Sequence, residues 1–347
     1  MSLSFNWPRA HAFALAEAQI KQSPEDFKVV EQLPEQPYGE GEHLWLLIEK
    51  TGQNTNWVAK QIARWANVKP RDVSFAGLKD RQAVTQQTFS IHLPGQENPD
   101  LDQFSVDGVT ILSAERHSRK LKTGQLIGNQ FTIRLRHCTK TPAEISAGWA
   151  QIVEQGVPNY FGSQRFGIDG LNVDKGIQLL TKTQRFPRHQ ESIYLSAVRS
   201  YLFNSLLAER VTQQTWNRLV AHEFAQFTEG KAGFYCAAPE PDDHERCLAG
   251  KLSPCGSLPG VSKDEFDELD QRESSVLEPW AEIITALKEK KVSRHFRKFR
   301  VFPERATLNF VDNDPVLSFF LPAGCFATTV ISELCDTTAN LGEHWHE

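Results

Sequence analysis

The sequence predicts an α+β protein: a strand-rich first region, a helix-rich middle and a short strand-rich end. Three observations predict it. Apolar and polar residues alternate in several segments before residue 140. Through 142–290 apolar residues recur mostly at helical spacing. Near residue 304 strand character returns. Strands, helices and strands again describe a sheet domain interrupted by an insertion, not a regular βαβα chain. The length, 347 residues, fits two domains or one large domain with an insertion.

The first region reads as follows. Phe27 to Leu33 alternates, with Phe27, Val29 and Glu31 facing one way, and predicts a strand. Pro34 and Pro37-Tyr38-Gly39-Glu40-Gly41 predict turns. His43 to Ile48 is a mostly apolar strand suited to a sheet centre. Asn54 caps a helix whose apolar face is Trp57, Val58, Ile62, Trp65 and Ala66, and Pro70 follows its end. Val73 opens another strand, a loop carries Asp80, and Thr88 to Leu93 is a further strand. Val109 to Ser113 and Gln130 to Arg136 complete this region.

Helices are predicted over Pro142 to Gln155, Leu171 to Thr181, Ser192 to Val211 and Pro279 to Lys290. Pro239 to Asp243 and Ser253 to Gly260 read as loops. Thr307 to Val311 and Val316 to Leu321 read as strands, Pro322-Ala323-Gly324 as a turn, and Val330, Ile331 and Leu334 as a last helix.

Composition excludes some classes. The net charge of -5 does not mark a nucleic-acid binder, but phosphate contact depends on local patches. Two basic clusters stand out: Arg116-His117-Ser118-Arg119-Lys120-Leu121-Lys122 and Arg294-His295-Phe296-Arg297-Lys298-Phe299-Arg300. Each suits phosphate contact and base stacking, or is simply a solvated face. Cys138, Cys236, Cys247, Cys255, Cys325 and Cys335 form no C-x-x-C pair, so reduced cytosolic thiols are expected. The first residues lack a long apolar run, so neither a signal peptide nor a membrane span is expected, and the expected location is cytoplasmic. Asp242, Asp243, His244 and Cys247 have no regular metal-ligand spacing, and no phosphate-binding glycine motif is present. No metal and no cofactor is therefore expected. No heptad is evident, and the sequence sets no oligomeric state.

The stretch that carries chemistry is Val73-Ser74-Phe75-Ala76-Gly77-Leu78-Lys79-Asp80-Arg81-Gln82-Ala83-Val84-Thr85-Gln86-Gln87. It places one carboxylate, Asp80, on a loop between strands with cations on both sides. Gly77 is expected to give a sharp turn ahead of the acid. Cations favour the charged form of a carboxylate and keep it available as nucleophile or base. On physics alone, Asp80 either carries chemistry or pairs with Lys79 or Arg81 on the surface.

AGLKDRQAVTQQ resembles the motif Ala-Gly-x-Lys-Asp, then Ala-Val-Thr-x-Gln, of the TruD family of tRNA pseudouridine synthases. Further stretches resemble that family in the same order: Ser23-Pro24-Glu25-Asp26-Phe27-Lys28-Val29, Gly128-Asn129-Gln130-Phe131-Thr132-Ile133, Val157 to Gly167 with NYFGSQRFG, and Leu321 to Thr328. Cys325 departs from the small residue expected in the last of these, and 213–275 carries no recognised motif.

The resemblance implies a discontinuous pseudouridine-synthase catalytic domain with a mixed or antiparallel sheet, over 1–154 and 304–347. A helix-rich α/β insertion would occupy 155–303. It implies isomerisation of uridine-13 in tRNA, tRNA-Glu above all, with Asp80 as the catalytic carboxylate. It implies Lys21 as a cation beside Asp80, Phe131 as a stacking ring beside Asn129, and Phe27 and Phe326 as further substrate-binding residues. A flipped uridine is held by stacking and by hydrogen bonds to its edges, and an Asn amide supplies both donor and acceptor. Asp80 could attack C1' of the ribose or act first at C2'. Within NYFGSQRFG, Arg165 meets a phosphate, or the segment is a hinge packed by Tyr160, Phe161 and Phe166. The rival functions are a catalytically silent RNA-binding protein on the same scaffold, a zinc deaminase, whose ligand motif is absent, and a carboxylate glycosidase.

Overall fold

Alternating side chains in the first region build one large sheet, and its two faces carry different things. The computed structural model describes residues 3–11, 13, 15–230, 232–262 and 267–339. In chain order the elements are β1 (Ala16–Ile20), β2 (Phe27–Gln32), β3 (His43–Thr51), α1 (Thr55–Trp65), β4 (Val73–Phe75), β5 (Val84–His92), β6 (Val109–His117) and β7 (Gly128–Arg134). Next are α2 (Pro142–Gln155), β8 (Val157–Pro158), α3 (Leu171–Leu180), α4 (Arg188–Thr212), β9 (Glu223–Phe227), β10 (Gly233–Cys236), α5 (Pro241–Leu248) and β11 (Leu252–Leu258). The chain continues with α6 (Asp267–Val276), α7 (Ala281–Glu289), β12 (His295–Lys298), β13 (Arg300–Val301), β14 (Glu304–Val311), β15 (Asp314–Pro322), α8 (Ala327–Leu334) and β16 (Cys335–Ala339). The fold class is α+β, as the sequence predicts.

Two compact units share the chain. A sheet unit comprises 15–149, 303–324 and the residues from 334 on; a helical unit takes 150–302, 325–333 and the residues up to 14.

In the sheet unit the strand order is β14-β15-β7-β2-β5-β3-β6, with β4 also paired to β5. In this sheet β2 and β5 run parallel and the other pairs are antiparallel. Residues directly opposed across strands share a face. Lys50 opposes Thr85, Val29 opposes Thr85 and Phe131, and Glu31 and Leu321 both oppose Asn129. All of these, with Leu44, Leu46, Ile48 and Phe89, therefore lie on one face. α1 covers the apolar part of it with Val58, Ala59, Ile62 and Ala63. Each of these larger aliphatic or aromatic side chains contributes about 1.5–3 kcal/mol on burial. Asn54 caps α1 as expected, its side chain accepting from Asn56 N at 2.8 Å and Trp57 N at 3.3 Å. On the opposite face Trp45 stacks on His117 and packs with Ala76 and Leu121.

The helical unit contains a second sheet, order β10-β9-β11-β12, antiparallel throughout. The sequence shows no strand over Ser253 to Gly260, yet β11 is a central strand there. Its sequence, LSPCGSL, lacks alternation because most of it is buried, leaving no polar face to read. A Cβ on Gly256 would lie 2.4 Å from Phe299 and 3.3 Å from Phe203 of α4, so only glycine fits without movement. The other expected loop, Pro239 to Asp243, leads into α5, with Pro241 at its start and Asp243 in a capping box.

Gly256→Ala is expected to destabilise the protein by about 1–3 kcal/mol through overpacking against Phe299. Denaturant titration checks this, and an unchanged midpoint would show that Phe299 yields freely.

Candidate active site

Asp80 sits on the segment joining β4 to β5, and the polar residues on the α1-covered face hold that segment down. Lys79 points away from Asp80. Its Nζ lies 2.6 Å from Glu31 Oε2, with side-chain exposures of 6% and 1%. The other Glu31 oxygen accepts from Thr88 N at 3.1 Å. The amide of Lys79 donates to Thr55 Oγ1 at 3.1 Å, and Thr55 donates to Gln87 Oε1 at 3.0 Å. Gln87 Nε2 then donates to Gly77 O at 3.1 Å. Arg81 also turns from Asp80, its Nε donating to Gly52 O at 3.2 Å. The loop is thus fixed at Gly77, Lys79 and Arg81, and both neighbouring cations are committed elsewhere.

Gly77 does not act as expected. Its φ is not in the left-handed region, and a Cβ there would make only ordinary contact, 3.6 Å from Lys79 Nζ. Side chains from α1, β2 and β5 shape this segment instead.

The cation at Asp80 is Lys21, whose Nζ lies 3.1 Å from Oδ2. Lys21 has φ 56 and follows β1. Its turn is braced by Asp26, which accepts from Ser23 N at 2.9 Å and pairs with Arg136 at 2.7 Å. The Lys21 ammonium also lies 4.3 Å from the Phe27 ring centroid, a cation–π contact that aims the chain. Lys21 is 12% exposed and Asp80 36% exposed, so the carboxylate reaches solvent from a buried frame.

Lys50 is fully buried beneath the same loop. Its Nζ donates to Gln53 O at 2.7 Å and to the main-chain oxygen of Asp80 at 3.0 Å. Burial pushes its ammonium down to about 8, although the Asp80 charge opposes the shift.

Asn129 faces this region from β7, opposite Glu31. Its Oδ1 is buried and has no hydrogen-bond partner among the described residues, as are Gln82 Oε1 and Thr85 Oγ1. Such atoms cost about 1–3 kcal/mol unless satisfied, which suits a site that receives a polar ligand. Phe27 is 2% exposed and Phe131 8%. Their rings meet at 6.2 Å, edge to face, and Phe131 leans on Phe319 at 5.7 Å. Phe326 belongs to the helical unit, where its ring lies 6.0 Å from Phe161 and against Gly162.

In that unit the aromatic residues of NYFGSQRFG are packed: Tyr160, Phe161 and Phe166 are buried, and Asn204 grips Phe161 N and O at 2.9 and 3.0 Å. Arg165 lies over the Phe161 ring at 5.4 Å. The second basic cluster also turns inward. Arg294 meets Asp270 at 2.5 Å, Arg297 binds Asn159, and Arg300 donates to Gln155 O and Cys247 O. Among the described residues no group of His, Cys, Asp and Glu could hold a metal ion, and no helix is long and apolar enough to cross a membrane.

The family model of tRNA pseudouridine synthase D (TruD) matches residues 13–177 and 173–334. The chain belongs to the TruD family of tRNA pseudouridine synthases. A relative from Hydrogenovibrio crunogenus, named tRNA pseudouridine synthase D, is 42% identical over 91% of this chain and 92% of its own length. One of the same name from Methylococcus capsulatus is 41% identical over 95% and 94%. The fold is also that of a crystal structure from Methanosarcina mazei described as a TruD, with TM-score 0.68, 20% identity and coverage of 94% of this chain and 95% of that one.

Membership of the TruD family accounts for a motif that composition could not explain, yet two members of the frame around Asp80 lie outside any resemblance. Glu31 and Lys50 look like ordinary strand residues in the sequence. Their only signal is charge on the inward-facing side of alternating segments, which is rarely tolerated without a partner.

Lys50 links this frame to pH. Its proton leaves the folded chain near pH 8 and the unfolded chain near 10.5. Between those values the unfolded state holds more protons, so stability rises with pH across that window. Lys50→Met is expected to lack this rise, which is worth up to roughly 3 kcal/mol. Denaturant unfolding of both proteins from pH 8 to 10.5 checks it; parallel profiles would contradict it.

Proposed function

We propose that this chain isomerises uridine-13 of tRNA, tRNA-Glu first, to pseudouridine, with Asp80 as the catalytic carboxylate. The observation that carries the reading is the Lys21–Asp80 pair: a solvent-reaching carboxylate, held on a braced loop, with one cation at 3.1 Å and its sequence neighbours turned away. The AGLKD motif and the family support it.

The reaction breaks the N1–C1' bond of uridine, turns the base and bonds C5 to C1'. The proton lost from C5 is balanced by one gained at N1, so the isomerisation is redox-neutral and asks for no electron carrier. A carboxylate lowers the cost of charge at the anomeric carbon, whether it bonds to C1' or begins at C2'. In this reading Lys21 orients Asp80, and Phe27 supports Lys21. Asn129 presents its unpartnered oxygen to the N3–H of uracil. Phe131 forms the apolar wall beside it. For Phe326 the support is the resemblance alone. Residues 155–303 are assigned as the family's insertion, and cytoplasmic tRNA as the partner.

Purified protein should be incubated with unmodified tRNA-Glu transcript, and pseudouridine mapped by carbodiimide labelling and reverse transcription. Wild type is expected to give a new stop at position 13. Asp80→Ala is expected to give none while keeping its tRNA affinity. Lys21→Met should slow the reaction about a hundredfold. A stop elsewhere would refute the assigned position. RNA binding without any pseudouridine would instead favour a silent RNA-binding protein.

A further inference from the structure

The first basic cluster differs from the second, because its lysines face outward from a loop that is itself fixed. Leu121 is fully buried with Trp45 and Ala76, and it pins the loop from below. Trp45 Nε1 donates to Arg119 O at 2.9 Å, and Ser74 Oγ donates to Leu121 O at 2.8 Å. Gly124 N donates to Ala76 O at 2.7 Å. Gln125 closes the turn, its side chain accepting from Lys122 N at 3.1 Å and its amide donating to Lys122 O at 3.0 Å. Above this scaffold lies an open cavity of about 560 Å³ lined by Arg119, Lys120, Lys122, Thr123, Gly124 and Gln125.

The charge on this cavity is one-sided. Its lining holds three cations and no carboxylate. Glu35, bonded to two of the lining residues, is taken up by Arg119, with Gln125 Nε2 at 2.8 Å and His117 Nε2 at 3.8 Å. Lys120 Nζ donates to Arg71 O at 3.4 Å, and Lys120 and Lys122 are exposed. Gly124 has φ +84 and open space where a Cβ would stand.

We propose that this turn is a phosphate-binding site for the RNA substrate, with Lys120 and Lys122 as its phosphate contacts. The inference rests on the RNA-substrate reading above and extends it to a place away from Asp80. The site is preorganised, so binding a phosphate orders little new chain. It is also tied to the Asp80 loop, because Ser74 Oγ, on β4, and Ala76 O, just past its end, both help to hold it. RNA seated here is registered on the same scaffold that presents the carboxylate. Two lysines suit backbone phosphates, which carry position and not sequence.

The test measures tRNA affinity of the full chain over a range of salt concentrations. It compares Lys120→Gln with Lys122→Gln in one double variant against a control, Lys60→Gln with Arg64→Gln on the exposed side of α1, which removes the same charge. The loop variant is expected to bind about tenfold more weakly near 0.1 M salt, with a log–log salt slope smaller by about two. The control should stay within about twofold of wild type. A loop variant that merely tracks the control overturns the site. Wild type that fails to bind tRNA overturns the site and the substrate together. If wild type binds tRNA and makes no pseudouridine, the reaction reading fails while the slope comparison still decides the site.

Discussion

The Lys79–Glu31 ion pair fixes where Asp80 can be. Both side chains are buried, and Glu31 has a second bond to Thr88 N. A pair of this kind adds little net stability, because desolvation offsets the attraction, but breaking it costs about 3–5 kcal/mol. Its consequence is specificity of conformation. With Lys79 drawn inward, the adjacent carboxylate projects the other way, where Lys21 meets it. The Lys21–Asp80 pair is different in kind. With Asp80 about one-third exposed, it contributes little to stability. Its place at the end of a braced loop is therefore better explained by chemistry than by folding.

The sheet makes this arrangement possible through register. Glu31, Lys50, Thr85, Gln87 and Asn129 share one face only because β2, β3, β5 and β7 are paired as they are. A slip of one residue would turn these polar groups to the other side. The first residue of α1, Thr55, joins the same network, so the helix that covers the apolar core also anchors Lys79 N. Lys50 completes it by holding the Asp80 carbonyl itself. One face thus serves as core at one end and as the frame of a site at the other.

Much of this was legible in the sequence, and what was not has identifiable causes. The strands of the first region from Phe27 on, the cap at Asn54 and the α+β class follow from periodicity and local chemistry, whereas β1 was not read as a strand. Asp80 and Lys21 stand out through a family motif, and the structure places them 3.1 Å apart. Glu31 and Lys50 were missed as partners because their contacts cross strands distant in sequence. The cluster Arg294 to Arg300 looks cationic and solvated for the same reason. Its acceptors lie at Asp270, Asn159, Gln155 and Cys247, far along the chain. β11 escaped because a strand buried on both sides, with Pro, Gly and Ser, offers no period-two signal. Gly77 was credited with a turn that long-range hydrogen bonds impose.

The central claim is that buried groups beneath the loop position the Asp80 carboxylate. The most direct measurement is the single-turnover rate of pseudouridine formation by Glu31→Gln, at saturating tRNA, beside its tRNA affinity. Glutamine keeps an acceptor for Thr88 N and removes the charge that draws Lys79 inward. The account predicts a rate lowered about ten- to a hundredfold in a folded protein, with affinity within about twofold of wild type. A rate equal to wild type would contradict it, because Asp80 would then need no frame.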